Sequence, residues 1–377
     1  MEVSIFAEHI KNLNISTITG VPDSALKEFC YYLNRKENLP FQHYVPANEG
    51  AAVGIAIGHY LATQTPACVY MQNSGLGNAA NPITSLANKE IYGIPMLFII
   101  GWRGIPGVKD EPQHRFMGKI TCTLLEELKI PYAVVKKEST EQEFECFGMQ
   151  AKKYLEEKKQ FAYVVEPGAF TAGQGYQWEN NWELVREDAI HEIFSSISED
   201  DIIVTTTGKI SREAYEQGDK IWGHHKNIFL TVGGMGHASM IAFGIAKEKP
   251  GKMVYCLDGD GAAAMHMGSM AFLGKQRPEN FVHICLNNDA HESVGGMPTG
   301  CSGIDFASVA TACGYPYAET VKDRPGLRAV LGKIKQQRKL SFLEVKVSMD
   351  VRKDLGRPKE TSEENKIAFM ECLSRRE

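Results

Sequence analysis

Short apolar runs alternate along the whole chain with segments of helical spacing. Most runs end in Gly, Pro, Asn or Asp, and they predict strands at 16–22, 41–46, 67–72, 95–101 and 161–167, and again at 201–208, 227–234, 252–261, 281–289 and 341–347. Strands that alternate with helices in this way are typical of parallel sheets with helices on both faces. We therefore predict an α/β fold with two doubly wound parallel-sheet domains.

One segment interrupts this alternation. Residues 168–183 are rich in Gly, Asn and Trp and have no clear period, and we interpret them as a linker. This places the first domain at 1–167 and the second at 184–377. The total length of 377 residues is what two domains require.

The composition of the chain indicates which kinds of partner and which cellular compartment to expect. The net charge of −5 includes no strong basic excess, so we expect no nucleic-acid partner. Apolar runs are shorter than the roughly 18 residues of a membrane span, and the N-terminus carries Glu2 and Glu8 without an apolar block. We therefore expect neither a membrane partner nor a signal peptide. Nine cysteines without a CxxC pair predict reduced thiols and a cytoplasmic location.

Residues 252–290 carry the most informative pattern. Gly259-Asp260-Gly261 follows one predicted strand, and Asn287-Asn288 ends the next, so that Asp260 and Asn288 are 28 residues apart. A strand–helix–strand crossover of this length returns the second strand beside the first, so carboxylate and amide meet at one edge. Such oxygens suit Mg²⁺ that carries phosphate oxygens, and the small residues allow an anion close to a helix N-terminus. The alternative is a capped βαβ unit with two turns.

GDG followed by NN at this interval resembles the signature of thiamine-diphosphate-dependent enzymes. The resemblance implies that the cofactors are thiamine diphosphate and Mg²⁺. It implies that Asp260 and Asn288 hold the metal and that the backbone carbonyl of Ala290 is a further ligand. It also implies that Gly259, Gly261 and Ala262 lie against the cofactor.

Two further segments extend the resemblance, TTTGKISRE at 205–213 and TVGGMGHAS at 231–239. The first stands where the family has its first diphosphate-contacting loop, which implies contacts by Gly208 and Lys209. In the second, the Gly233 carbonyl would accept from the cofactor's 4′-amino group. Met235 would be the apolar wedge that bends the cofactor.

Glu49 follows a predicted strand and opens an apolar, Ala- and Gly-rich helix at 49–62. Alone, a glutamate in a first turn complements the helix dipole. In the family this position protonates N1′ of the cofactor's pyrimidine, and apolar neighbours favour the retention of a proton. The resemblance therefore implies that Glu49 is catalytic. It also implies that Glu49 acts with Asp260 of another subunit, in a homodimer or larger homo-oligomer with shared active sites.

The layout indicates the substrate class. The two cofactor-binding domain types, pyrimidine-binding and diphosphate-binding, nearly abut, without the central domain of longer relatives. This resembles the phosphonopyruvate decarboxylases and a fusion of the two sulfopyruvate decarboxylase chains. Five segments resemble the phosphonopyruvate decarboxylases: GVPDS (20–24), PANEG (46–50), QNSGLGN (72–78), GWRGIPGVKDEPQH (101–114) and HESVGGMPTG (291–300). Met297 departs from this pattern, which has Gln there.

The resemblance implies a carbon–carbon lyase that converts 3-phosphonopyruvate to phosphonoacetaldehyde and CO₂ through the C2 ylide of the cofactor. Sulfopyruvate decarboxylation is the alternative, and an acetolactate-type carboligase is a further one.

The loop after 95–101 carries several cations around an acidic turn. A phosphonate needs cations, and Arg offers a bidentate fork. We predict substrate contacts by Arg103 and Lys109, with Gln113 in the same loop; a solvated loop is the alternative. The neutral amides of Asn73 and Asn78 are further candidates for contact with substrate or cofactor.

Proton transfer needs additional groups. Asp23 and His114 match, by motif position, the acid and the histidine of related decarboxylases, and His291 follows the predicted metal-binding turn. A histidine transfers protons in either direction near neutral pH. The alternative for each is a hydrogen-bonded structural role.

A dinucleotide-binding oxidoreductase is a competing hypothesis. GLGNAA at 75–80 matches the fingerprint G-x-G-x-x-A after a strand. The next predicted strand, however, ends in Gly101-Trp102, without an acid to hold a ribose. We therefore favour the thiamine-diphosphate interpretation.

Overall fold

The computed structural model describes residues 1–34, 39–171, 178–294 and 296–374, and the chain forms two compact units. Unit 1 comprises Met1–Trp178 and His291–Gly300, and unit 2 comprises Glu179–Ala290 and Cys301–Glu377. The boundary between Trp178 and Glu179 falls inside the predicted linker 168–183. Residues 172–177 of that segment lie outside the described residues.

Unit 1 is built on six strands: β1 (Thr17–Gly20), β2 (Gln42–Tyr44), β3 (Ala67–Gln72), β4 (Met96–Gly101), β5 (Tyr132–Val135) and β6 (Phe161–Val165). They form a parallel sheet in the order β2-β1-β3-β4-β6-β5. Its helices are α1 (Val3–Asn12), α2 (Lys27–Leu33), α3 (Glu49–Thr63), α4 (Leu76–Pro82), α5 (Pro112–Glu127) and α6 (Glu141–Glu156). A π-helical turn at Ile83–Ala87 continues α4.

Unit 2 begins with α7 (Arg186–Ser196), β7 (Ile202–Thr205), α8 (Lys209–Trp222), β8 (Ile228–Leu230), α9 (Ala238–Glu248), β9 (Val254–Gly259), α10 (Asp260–Met265), α11 (Gly268–Gln276) and β10 (Phe281–Asn287). After β10 the chain forms a short two-stranded sheet, β11 (Ala290–His291) with β12 (Met297–Pro298), whose residues from His291 onward belong to unit 1. The remaining elements are α12 (Phe306–Ala312), β13 (Tyr317–Val321), α13 (Arg324–Gln337), β14 (Ser341–Lys346) and α14 (Ser362–Ser374).

The main sheet of unit 2 is also parallel, in the order β13-β14-β10-β9-β7-β8. The prediction of two parallel-sheet α/β domains is confirmed. Among the described helices, none has the length and hydropathy needed to cross a membrane.

Both faces of the unit 1 sheet are buried, which explains why its strands are continuous apolar runs. Tyr70 and Ile99 belong to a core cluster that includes Phe6 of α1. Their chain neighbours Val69 and Phe98 belong to a second cluster that includes α3 and α4. Alternation of side chains along each strand therefore feeds two apolar layers.

Two strands escaped the sequence analysis, β5 and β13. Each lies at an edge of its sheet; burial alternates along β5, and only the last residue of β13 is buried. A strand that packs on one side alone needs no continuous apolar run. This accounts for the omission of β13, whereas β5 is apolar and was not singled out, and the other edge strands, β2 and β8, were predicted.

His291–Gly300 belongs to unit 1, although the sequence analysis included it in the second domain. Val294 and Met297 are buried in the unit 1 core, and the Trp178 N–H donates to the Gly296 carbonyl at 3.2 Å. Full burial of Met297 accounts for an apolar residue where the family pattern has Gln.

Candidate active site

The N-terminus of α3 holds a buried carboxylate. Asn48 caps the helix, its side-chain oxygen accepting from the Ala51 N–H at 2.9 Å. Glu49, the first helical residue, is 5% exposed. Asn78 Nδ2 donates to Glu49 Oε2 at 2.7 Å. The cap fixes the backbone and Asn78 fixes the carboxylate, so two predicted site residues are in direct contact.

Gly75 forms the floor beneath this carboxylate. It lies in the single helical turn Asn73–Gly75 between β3 and α4. A Cβ at Gly75 would stand 2.6 Å from Glu49 Oε1, so only glycine leaves room for the carboxylate. Gly75 is the first glycine of GLGNAA, the segment that matches a dinucleotide fingerprint, and in the structure it makes room for the Glu49 carboxylate.

Asp23 is a second buried acid of unit 1, and it caps the helical turn Ser24–Leu26. Its Oδ2 accepts from the Ala25 N–H at 2.9 Å, and its Oδ1 accepts from Gln72 Nε2 at 2.6 Å. Burial raises the pKa of Asp23 and outweighs the hydrogen bond from Gln72 and the charge of Arg103, which lower it. A raised pKa suits a carboxyl group that donates a proton.

Arg103 is held in a bidentate ion pair with Asp110. Arg103 Nε donates to Oδ2 at 2.8 Å and Nη2 to Oδ1 at 2.5 Å, while Nη1 donates to Ser24 Oγ at 2.6 Å. The N–H groups of Gly104 and Glu111 also donate to Asp110, each at 2.8 Å. These contacts, that of Arg103 above all, hold the pKa of Asp110 well below its usual range. The carboxylate of Asp110, in the same loop, therefore compensates the positive charge of Arg103, the arginine predicted to bind the anion.

Asn73 ties this arginine to α5. It is fully buried, and its Nδ2 donates to the Arg103 carbonyl at 2.8 Å and to Thr121 Oγ1 at 2.9 Å. Its Oδ1 accepts from the Arg103 N–H at 3.3 Å. This arrangement favours a positioning role for Asn73 over the predicted contact with substrate.

Other predicted residues of the same loop lie around the start of α5. Burial and the charge of Arg103 lower the pKa of His114, so its imidazole is neutral near pH 7. Gln113 Oε1 is buried and has no hydrogen-bond partner among the described residues. Lys109 is exposed. The structure gives this loop a neutral histidine, an unused amide oxygen and an accessible cation.

His291 is the first residue of the segment His291–Gly300, which belongs to unit 1. Burial lowers its pKa to about 4, so it is also neutral near pH 7. The four predicted catalytic residues, Glu49, Asp23, His114 and His291, all belong to unit 1.

The predicted magnesium ligands leave two neighbouring strands of unit 2 at the same edge. β9 and β10 pair in parallel, with Leu286 opposite Gly259. Asp260 begins α10 directly after β9, and Asn288 directly follows β10. Both side chains are 4% exposed. The pairing of β9 with β10 therefore brings Asp260 and Asn288 to the same edge of the sheet, as the magnesium prediction requires.

Two successive side-chain-to-backbone hydrogen bonds shape the turn after β10. Asn287 Oδ1 accepts from the Asp289 N–H at 2.8 Å, and Asn288 Oδ1 accepts from the Ala290 N–H at 3.1 Å. Asp289 has φ +59°, a left-handed conformation that Asp and Asn tolerate better than most residues. Asn180 Nδ2 donates to the Asn288 carbonyl at 2.9 Å. The second lone pair of Asn288 Oδ1 remains for a cation.

The two predicted cofactor loops follow β7 and β8. Gly208 caps α8 at φ +102°, and Lys209 is the first residue of that helix. Gly233 has φ +75°, and its N–H donates to Thr207 Oγ1 at 3.0 Å. Met235 is half-buried. Glycine adopts these positive φ angles without the strain of a side chain, so backbone groups line this edge of the sheet.

Buried polar atoms at the same edge fit a bound ligand. Thr206 Oγ1, Thr231 Oγ1 and Asp289 Oδ1 are buried, and none has a hydrogen-bond partner in the part of the chain that the structure describes. They follow β7, β8 and β10, respectively. Such atoms are rare and call for a partner. Together with Asp260 and Asn288, they form a polar surface that fits a magnesium-bound diphosphate.

A buried cluster also lies below this edge, and the sequence analysis did not single it out. Ligand atoms of Cys256, Asp258 and His283 all lie within 4.8 Å of one another. His283 Nε2 is 3.2 Å from Asp258 Oδ2, and His283 Nδ1 is 3.4 Å from the Tyr315 hydroxyl. Asp258 Oδ1 accepts from the Gly259 N–H at 3.1 Å. These bonds brace the end of β9 just before Asp260.

Comparison with known proteins agrees with this geometry. Residues 3–123 match the family described as "Thiamine pyrophosphate enzyme, N-terminal TPP binding domain", and residues 220–345 match "Thiamine pyrophosphate enzyme, C-terminal TPP binding domain". The chain is 33% identical over 323 residues to the phosphonopyruvate decarboxylase of Streptomyces viridochromogenes, covering 81% of this chain and 78% of that protein. This chain belongs to the thiamine-pyrophosphate-dependent decarboxylases.

Two further relatives of this decarboxylase indicate the range of the family. The phosphonopyruvate decarboxylase of Streptomyces hygroscopicus is 32% identical over 326 residues, which are 81% of this chain and 77% of that protein. The sulfopyruvate decarboxylase of Methanosarcina acetivorans is 27% identical over 363 residues, 90% of this chain and 89% of that protein. The predicted cofactor, thiamine diphosphate with its usual Mg²⁺, is confirmed by the family.

Several contacts of this decarboxylase were not foreseen from the sequence. Ser24, Gln72 and Asp110 lie inside segments that carried the resemblance, so proximity to a motif was a usable signal. Asn180 lies in the segment interpreted as a linker, and nothing in its local sequence marks it.

Replacement of Gly75 by Ala is expected to reduce turnover by at least about tenfold, because the new methyl group displaces the Glu49 carboxylate and small misplacements of catalytic groups are costly. The matched control is Gly77→Ala in α4, where a Cβ meets nothing within 4 Å. That variant should keep its turnover and gain about 0.5–1 kcal/mol of stability. The test is to measure kcat and thermal unfolding in both variants. Equal kcat in Gly75→Ala and Gly77→Ala would contradict the role of Gly75.

Proposed function

We propose that this enzyme decarboxylates 3-phosphonopyruvate to phosphonoacetaldehyde and CO₂. The observation that carries the proposal is the similarity, at 33% and 32% identity over 81% of the chain, to two proteins named phosphonopyruvate decarboxylase. The charge of the substrate agrees with the residues of unit 1, where Arg103 and Lys109 supply cations for a phosphonate.

Glu49 is the proton-exchanging acid of this proposal. It is buried, its partner Asn78 is a neutral amide, and Gly75 leaves it room at the start of α3. When bound, thiamine diphosphate supplies a nucleophilic carbon and a cationic ring that accepts the electron pair left by CO₂. Glu49 holds and returns a proton at the pyrimidine of that cofactor.

Asp23, His114 and His291 are the candidates for the proton that replaces CO₂ on the substrate carbon. Burial raises the pKa of Asp23, which favours a protonated donor. The pKa values of both histidines are lowered, so each is a neutral imidazole that can accept or relay a proton near pH 7. Asp23 is therefore our first choice as donor.

The loop at the end of β4 is assigned to the phosphonate. Asp110 and Ser24 fix the plane of the Arg103 guanidinium, and its remaining N–H groups are those offered to the anion. Lys109 adds an accessible charge and Gln113 an amide. Asn73 holds the arginine backbone in place.

Asp260, Asn288 and the Ala290 carbonyl are assigned to Mg²⁺. The support is their position at the ends of β9 and β10, together with the unpartnered Thr206, Thr231 and Asp289 atoms. The assigned cofactor contacts are those implied by the family resemblance: Gly208, Lys209, Gly233, Met235, Gly259, Gly261 and Ala262.

Sulfopyruvate decarboxylation is the second candidate function. It is favoured by the similarity to the Methanosarcina acetivorans protein, which extends over 90% of this chain at the lower identity of 27%. A sulfonate carries one negative charge, whereas a phosphonate carries up to two. We therefore expect the accessible charge of Lys109 and the remaining N–H groups of Arg103 to favour the phosphonate.

The direct test is CO₂ release from 3-phosphonopyruvate, 3-sulfopyruvate and pyruvate, with and without thiamine diphosphate and Mg²⁺. We expect release that requires the cofactor, with kcat/KM for phosphonopyruvate at least about tenfold above the other two. Preference for sulfopyruvate would overturn the substrate, and the absence of cofactor-dependent release from all three would overturn the reaction.

We also propose that the enzyme works in the cytoplasm as a homodimer or larger homo-oligomer with active sites shared between subunits. Glu49 belongs to unit 1, whereas Asp260 and Asn288 belong to unit 2, and the family resemblance implies that one cofactor contacts both domain types in different subunits. Cyclic symmetry lets two copies exchange these halves reciprocally. Nine cysteines, all with free thiols, suit a reducing compartment.

Mixed subunits test the shared site. Glu49→Gln and Asp260→Ala are each expected to be inactive alone, since one lacks the proton-exchanging acid and the other a metal ligand. Dissociated, mixed and reassociated in equal amounts, they should regain about a quarter of wild-type activity, because half of the dimers then contain one intact site. Recovery of no activity, when native mass spectrometry detects mixed dimers, would contradict shared sites.

A further inference from the structure

A buried charged pair lies on β14, and the proposed reaction does not use it. Glu344 is 1% exposed and lies on β14 between β10 and the edge strand β13, opposite Cys285 of β10 and Thr320 of β13. A buried carboxylate is costly unless it is paired and hydrogen-bonded. The presence of a carboxylate at this buried position therefore calls for a reason.

Three side chains satisfy the Glu344 carboxylate. Asn287 Nδ2 donates to Oε1 at 2.7 Å, and Lys346 Nζ lies 2.8 Å from the same oxygen. Thr320 Oγ1 donates to Oε2 at 2.9 Å. Burial alone would lower the pKa of Lys346, but the hydrogen bond and charge of Glu344, together with the charges of Asp289 and Cys285, raise it overall.

The contact with Asn287 connects this pair to the predicted metal-binding turn. A carboxylate only accepts hydrogen bonds, so the Asn287 amide must turn its Nδ2 toward Glu344. The same amide then directs its Oδ1 to the Asp289 N–H, which it meets at 2.8 Å. Asp289, at φ +59°, lies between Asn288 and Ala290, the predicted ligands.

We propose that Glu344 is a positioning residue for the magnesium site, because it orients Asn287 and so fixes the turn that presents Asn288 and the Ala290 carbonyl. The inference rests on the proposed metal ligands. Groups that orient ligands from behind typically change metal affinity by about 10- to 100-fold when they are removed. Lys346 serves the pair by compensating its charge, and it does not touch the turn-forming amide.

Two double variants isolate the hydrogen bond from the charge. Glu344→Gln with Lys346→Met removes both charges but keeps an oxygen that can accept from Asn287. Glu344→Leu with Lys346→Met removes both charges and the acceptor. The readout is the Mg²⁺ concentration that gives half-maximal binding of thiamine diphosphate, measured by calorimetry in the whole protein, with thermal unfolding of the cofactor-free protein alongside.

The Gln variant is expected to need Mg²⁺ within about threefold of wild type, and the Leu variant at least about tenfold more. Thr320→Val is the control, since it removes a bond to the same carboxylate and leaves Asn287 untouched. It should lower the unfolding temperature without changing the Mg²⁺ requirement.

An equal Mg²⁺ requirement in the two double variants would overturn the positioning role. If the Leu variant does not fold, Asn287→Ala replaces it, because that change cuts the link while the Glu344–Lys346 pair stays intact. An unchanged Mg²⁺ requirement in Asn287→Ala would equally overturn the role. Wild-type binding of the cofactor without any need for Mg²⁺ would overturn the metal site itself, whereas a different preferred substrate would leave this inference standing.

Discussion

The hydrogen bond between Asn78 and the buried carboxylate of Glu49 is the interaction on which the proposed chemistry depends. A neutral amide orients a carboxylate without fixing its charge, whereas a cation holds it as an anion. Asp110 shows the contrast, because the guanidinium of Arg103 keeps its pKa far below the usual range. Glu344, paired with Lys346, is a third case. The three acids therefore differ in their partners, which are a neutral amide for Glu49, a guanidinium for Asp110 and an ammonium with two neutral donors for Glu344.

Parallel sheets place these acids. All strands of one parallel sheet end at the same edge, and polar residues that follow the strands collect there. In unit 1 this edge collects Asp23 and Arg103, and in unit 2 it collects Asp260 and Asn288. The unit 2 sheet adds support from below, through the Asp258–His283 contact and the Glu344–Asn287 contact. Rigid strands thus carry the residues that the chemistry needs at fixed positions.

Sequence alone predicted what depends on local pattern and on strand spacing. The central strands are apolar because both faces are buried, and the Asp260–Asn288 interval follows from a crossover that the structure contains. Edge strand β13 escaped because its half-buried residues form no apolar run, whereas β5, whose sequence is apolar, was not singled out. The Arg103–Asp110 pair depends on a loop conformation, and Asn180 and Glu344 reach the turn after β10 from distant parts of the chain. Val294 and Met297 pack into the core of unit 1 through tertiary contacts, which the local sequence pattern does not predict.

The most direct test of the central claim is the rate at which the C2 proton of bound thiamine diphosphate exchanges with deuterium, measured by NMR after acid quench. We compare the wild type with Glu49→Gln, both saturated with cofactor and Mg²⁺. General acid–base groups contribute about 10²- to 10⁴-fold, so exchange in Glu49→Gln should be slower by at least about 100-fold while the cofactor stays bound. Exchange at the wild-type rate in Glu49→Gln would contradict the account.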